Sequence, residues 1–120
     1  MSKQIVQYFI INSDLTMTKG KCCSQVAHAS QEITEKIMRN AYESRSAPKE
    51  YSTYMKWKST GCAKIVLKAS EEQLRQLMKR DDCIAIIDAG RTQVDHGSLT
   101  CIGFYPGSDL SDLFKDYKLL

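Results

Sequence analysis

Apolar and polar positions follow different periods along this chain, and the changes of period mark its elements. Gln4 to Ile11 is dense in Ile, Val, Tyr and Phe. A run of that kind predicts a central strand covered on both faces. Asn12 to Thr18 is a polar loop. From Lys21 to about Asn40, apolar residues recur at Cys22, Val26, Ala29, Ile33 and Ile37. Steps of three and four place them on one face of a helix. Ala41 to Ala47 is a polar connection. Pro48 suits the first position of a short second helix, whose Tyr51, Tyr54, Met55 and Trp57 would cluster toward the core.

Beyond Gly61 the period drops to two. Ala63, Ile65 and Leu67 face one way, Lys64 and Lys68 the other, which predicts a half-exposed strand over Cys62 to Lys68. Ser70 with Gln73 three residues later is a capping box. Leu74, Leu77 and Met78 supply the stripe of the helix it opens. Cys83 to Asp88 and Leu99 to Tyr105 read as two further strands. Ser108 caps a last helix that carries Leu110, Leu113, Phe114 and Tyr117. The order predicts an α/β single domain over residues 1–120. Its mixed four-stranded β-sheet is flanked by helices on both faces, β-α-(α)-β-α-β-β-α.

Composition narrows the class. With 120 residues, the chain suits one core, and no apolar run approaches the roughly 18 residues of a membrane span. No secretory signal is expected. The five cysteines are odd in number and none lies in a C-x-x-C. They read as reduced core residues of a cytoplasmic protein, without the ligand spacing of a zinc site. Net charge is +3. The distribution says more: residues 1–68 hold eleven Lys+Arg against five Asp+Glu, and residues 69–120 hold six against nine. A basic first half suits an anionic partner such as phosphate or RNA, and equally a solvated surface.

The richest chemistry lies between the last two apolar runs, in Asp88-Ala-Gly-Arg-Thr-Gln-Val-Asp-His-Gly-Ser-Leu-Thr100. Asp88 falls at the carboxyl end of a strand, where ligands bind in α/β sheets. A carboxylate there must find donors, and Arg91, Thr92, Gln93 and Thr100 are at hand. A second feature is Thr18-Lys19-Gly20-Lys21, between a buried strand and a helix start. Unpaired backbone N–H groups, a glycine and two lysines make an anion site. Gln25 and His28 follow Lys21 at helical spacing, so the three lie near one another at the rim of the site. His96 reads as a turn residue. No Walker A or dinucleotide fingerprint is present, which disfavours a nucleotide-binding domain, and no G-x-S-x-G elbow indicates a serine acyl-enzyme.

Taken together, Met17-Thr18-Lys19-Gly20-Lys21, Gln25, His28, Asp88-Ala-Gly-Arg-Thr-Gln93 and Gly97-Ser98-Leu99-Thr100 resemble the class II peptidyl-tRNA hydrolases. Trp57, Gly61, Lys64 to Lys68 and the terminal Lys118-Leu-Leu fit as well. The resemblance spans essentially the whole chain, except Ala41 to Ser59. It implies hydrolysis of the ester between a peptide and the 3′-ribose of tRNA, with no metal and no cofactor. The implied catalytic set is Lys19, Asp88, Thr92 and Thr100. Lys21, Gln25, His28, Arg91, Gln93 and Ser98 would bind substrate. Peptidyl-tRNA is the implied partner, through its phosphates and 3′ end, with no membrane; self-association as a homodimer is compatible with the resemblance. Cys22-Cys23-Ser24 replaces an aliphatic residue and two alanines usual in that family, and Thr18 stands where glycine or serine is common. The alternative is a non-catalytic RNA- or protein-binding module of the same fold, and the retained catalytic types speak against it.

Overall fold

The computed structural model describes residues 3–44, 48–89 and 97–120. Among these, the strands are β1 (Gln7–Asn12), β2 (Lys64–Ala69), β3 (Cys83–Ile87), β4 (Leu99–Phe104) and β5 (Lys118–Leu119). The helices are α1 (Lys19–Glu43), α2 (Lys49–Ser59) and α3 (Glu71–Leu77). The strands hydrogen-bond in the order β3-β4-β1-β2-β5. β1 and β2 run parallel and the other pairings are antiparallel. All six residues of β1 are buried, as its unbroken apolar run requires of a middle strand.

Helix α1 lies over β1, β4 and β3. Its Cys22 and Ala29 close a core with Phe9, Ile11, Ile86 and Cys101. The opposite face is covered by α3 and the C-terminal turns, where Leu74, Leu77, Leu110 and Phe114 meet Tyr8, Ile10, Leu67, Ile102 and Phe104. Phe114 is the hub, with its ring centroid 4.7 Å from Tyr8, 5.1 Å from Phe104 and 5.2 Å from Tyr117. Asn12, fully buried at the end of β1, ties the sheet to the start of α3. Its amide donates to Glu71 Oε1 and to the Leu99 carbonyl, both at 2.8 Å, and its oxygen accepts from Asp14 N–H.

The structure corrects several expectations. The sheet has five strands, since Lys118–Leu119 pairs with β2; a two-residue exposed strand carries no periodicity to read. The segment expected to form the last helix is a series of turns. Its bonds mix Phe114 N–H to Leu110 O with Lys115 N–H to Asp112 O and Tyr117 N–H to Phe114 O. Asp109, Ser111 and Asp112 favour local turns over helix, and the chain must straighten by Lys118 to reach β2. Helix α1 starts at Lys19 and runs to Glu43, through part of the expected connection. In α2, Pro48 is the N-cap. Trp57 is buried and Tyr51 and Tyr54 are half-buried, whereas Met55 faces solvent. The capping box at Ser70 and Gln73 forms as read.

One irregularity positions chemistry. Ile86 opposes Cys101 and Ile87 opposes Leu99, so Thr100 is an extra residue in β4. Such a bulge re-aims a side chain. Leu99 and Ile102 stay in the α3-side core, while Cys101 packs on the α1 side, the side on which Thr100 meets Gln25 of α1.

Candidate active site

The start of α1 is set by Thr18. Its hydroxyl accepts the Lys21 N–H at 3.2 Å and its carbonyl accepts the Cys22 N–H at 3.0 Å. The first turn then carries no acid and two lysines. Cations there oppose the helix dipole, at about 0.3–1 kcal/mol each. The arrangement is costly for the helix alone, and an acid from elsewhere offsets it. Asp88, just past the end of β3, takes Lys21 Nζ on Oδ1 at 2.7 Å, with both side chains 8% exposed. Lys21 is therefore a donor to Asp88, where the sequence had suggested Arg91, Thr92, Gln93 and Thr100.

The backbone of Asp88 is pinned as well. Its N–H donates to the Ser98 carbonyl and its carbonyl accepts the Gly97 N–H, both at 2.9 Å. Gly97 has a φ of 85°, a conformation open to glycine at little cost. These two bonds tie the Asp88 backbone to the start of β4. Arg91, Thr92, Gln93 and His96 lie outside the described residues.

Beside the ion pair sits a neutral one. The Thr100 hydroxyl lies 2.5 Å from Gln25 Oε1 and 3.3 Å from the Ile86 carbonyl. Gln25 and Thr100 are both buried. Gln25 falls on the same stripe as Cys22, Ala29, Ile33 and Ile37, which carries its amide down onto β4. The bulge at Thr100 brings the hydroxyl up to meet it. Lys21, Gln25, Asp88 and Thr100 are thus gathered from a helix start, a strand end and a bulge.

Other expected members are placed differently. Lys19, two residues from Lys21 and so roughly half a turn around the helix, is exposed at the start of α1. Among the described residues nothing stands within 4 Å of where a Cβ on neighbouring Gly20 would be, so they leave this corner open. Ser98 takes part through its backbone carbonyl. His28 does not join Lys21 and Gln25. It points to solvent, 3.7 Å from Glu32, because a step of three from Gln25 carries it off the buried stripe. Among the described residues there is no group of three or more His, Cys, Asp or Glu able to hold a metal. Burial pushes the Cys101 thiol up to about 12 and the Cys83 thiol up to about 11, which keeps both protonated near neutral pH.

Comparison with known proteins supports the peptidyl-tRNA hydrolase part of the resemblance read from the sequence, without the class II label. Residues 5–120 match the family model described as peptidyl-tRNA hydrolase PTH2. A peptidyl-tRNA hydrolase of Methanococcus maripaludis is 37% identical, the alignment covering 95% of this chain and 97% of that protein. One of Nanoarchaeum equitans is 36% identical over 88% of this chain and 89% of its own. Another, of Metallosphaera sedula, is 36% identical over 92% and 96%. Likeness of that extent, spread over nearly the full length on both sides, makes this chain a member of the peptidyl-tRNA hydrolase PTH2 family.

Proposed function

We propose that this chain, acting as one domain, hydrolyses the ester joining a peptide to the 3′-ribose of tRNA, and that Asp88 is the centre of the reaction. The observation that carries this is the buried Lys21–Asp88 pair beside the Gln25–Thr100 pair, at the carboxyl end of a strand. A carboxylate and a lysine taken out of water gain little stability over apolar neighbours. Their burial at a strand end with an open flank is better explained by chemistry.

In this reading Asp88 accepts a hydrogen bond from the attacking water and orients it as the new C–O bond forms. A carboxylate is a weak base at neutral pH, so positioning contributes more than outright deprotonation. Lys21 holds the carboxylate in place through the 2.7 Å ion pair. Thr100, fixed by Gln25, supplies a hydroxyl at the same edge, and Thr92 joins as the family resemblance implies. Lys19, exposed at the open corner, stabilises the carbonyl oxygen as it becomes an oxyanion, or the terminal phosphate. The ester C–O bond then breaks, one proton of the water passes to the 3′-oxygen and the other is released to solvent, and peptide carboxylate and free tRNA leave. Arg91 and Gln93 are assigned to substrate binding on the same footing. The cytoplasm, where translation releases such esters, is the expected site of action.

Single-turnover hydrolysis of peptidyl-tRNA tests the reading. Wild type releases peptide without added metal or cofactor, and Asp88→Asn loses most of that rate while keeping its fold by circular dichroism. Tight tRNA binding with no ester release by wild type would instead mark a non-catalytic module.

A further inference from the structure

The sheet face shared with α1 extends beyond the helix, and its uncovered part is basic. On β2, Leu67 and Ala69 enter the α3-side core, so Lys64, Val66 and Lys68 point to the α1 side. Val66 packs there against the α1-side core, while Lys64 and Lys68 are exposed. On the edge strand, Lys118 stands directly opposite Lys68. Like charges directly opposite across an antiparallel pair repel. None of the ion pairs among the described residues relieves them. Asp116 lines the same cavity as both lysines but pairs with neither. Lys64 Nζ lies over the Trp57 ring at 4.9 Å and donates to the Cys62 carbonyl at 3.3 Å. That holds the ammonium in a defined place and leaves its charge intact.

Strand register ties this patch to the ester site. Lys118 opposes Lys68, Lys68 opposes Ile11, Ile11 opposes Cys101 and Cys101 opposes Ile86. One row across the sheet thus runs from two lysines to the residue after Thr100 and to the strand that leads into Asp88. With strands about 4.8 Å apart, Lys68 lies roughly 10 Å and Lys118 roughly 15 Å from the Cys101 position. Lys64 lies about 13 Å along β2 from Lys68.

We infer that the Lys64–Lys68–Lys118 face of β2 and β5 holds the phosphodiester backbone of tRNA as it leads away from the ester bond. The inference rests on the hydrolase reading above. A polyanion whose reacting end lies at Asp88 must continue somewhere, and this row offers unneutralised cations on the same side of the sheet.

The test compares two substrates: full-length peptidyl-tRNA, and an N-acylated aminoacyl ester of the trinucleotide CCA. Lys64→Gln, Lys68→Gln and Lys118→Gln are combined in the full chain. KM for full-length substrate should rise roughly tenfold, and the slope of log KM against log salt should become shallower by about 2 to 3, as for loss of three phosphate contacts. kcat, and kcat/KM on the short ester, should stay at wild-type values. The corresponding triple Lys→Arg variant should restore KM on tRNA. An unchanged KM and salt slope in the Gln variant overturns the inference, as does an equal loss on both substrates. Failure of wild type to cleave either ester overturns the hydrolase reading itself, and is seen before any variant is made.

Discussion

The two faces of the sheet are built from the same strands and differ in what they bury. The α3 face is closed by aliphatic and aromatic side chains around Phe114. The α1 face has an apolar centre, but at the carboxyl end of β3 it buries a lysine, a carboxylate, an amide and a hydroxyl. Burying such groups costs free energy unless each finds a partner. The first face therefore supplies stability, and the second draws on it to hold polar groups in place. Substitutions on the two faces should accordingly separate: one set changes how much protein is folded, the other what the folded protein does.

Asp88→Asn should show this most strongly. A positioned acid–base group contributes about 10²- to 10⁴-fold, so single-turnover peptide release should fall by that order. A loss under tenfold would mean that Asp88 only braces its loop. On the other face, Phe114→Ala should lower stability by about 3–5 kcal/mol, read by urea unfolding. Its kcat per folded molecule should match wild type; a drop in kcat there would break the separation. Thr100→Val sits between the two. It leaves Gln25 Oε1 without its donor in a buried place, at about 1–3 kcal/mol, and should slow turnover as well.

The smallest effect is a pH dependence that belongs to the fold alone. Burial raises the Cys101 thiol from 9.0 to about 12. Between those values the folded state holds a proton that the unfolded chain has lost. The stability this group contributes is complete below pH 9 and disappears as pH climbs toward 12. Urea titrations from pH 9.5 to 11 should decline by about 1.4 kcal/mol per pH unit from this group. Cys101→Ala should be correspondingly flatter. An equal slope in both proteins would assign the alkaline loss to other groups.

Elements long enough to show a period were legible. The buried run of β1 up to Ile11, the stripe of α1 and the capping box at Ser70 and Gln73 all followed from the residue pattern, whereas Asn12, read as the start of a loop, is the buried last residue of β1. The C-terminal segment shows the limit. Leu110, Leu113, Phe114 and Tyr117 have helical spacing and do meet the core, yet turns deliver them, because hydrophobic period reports which residues are buried rather than which backbone bonds they make. Asp88, Thr100, Lys21 and Gln25 were recognisable as site candidates by residue type and position. Their pairing was not, since Lys21 and Asp88 are distant in sequence and meet only once α1 crosses β3 and β4. Thr100's turn toward α1 depends on a bulge that no local pattern announces. The exposure of His28 was not legible either, because one helical step separates the buried stripe from solvent.

Gly103 has a bearing on all of this. A Cβ there would come within 2.9 Å of the Ala29 Cβ, so helix and strand touch almost backbone to backbone. Ala29 is eight residues along α1 from Lys21, about 12 Å. The clearance between helix and sheet is therefore fixed at a contact that holds no reactive group. A single added methyl would act as a shim, tilting the lysine and the amide away from their partners below while leaving every polar side chain of the site chemically intact.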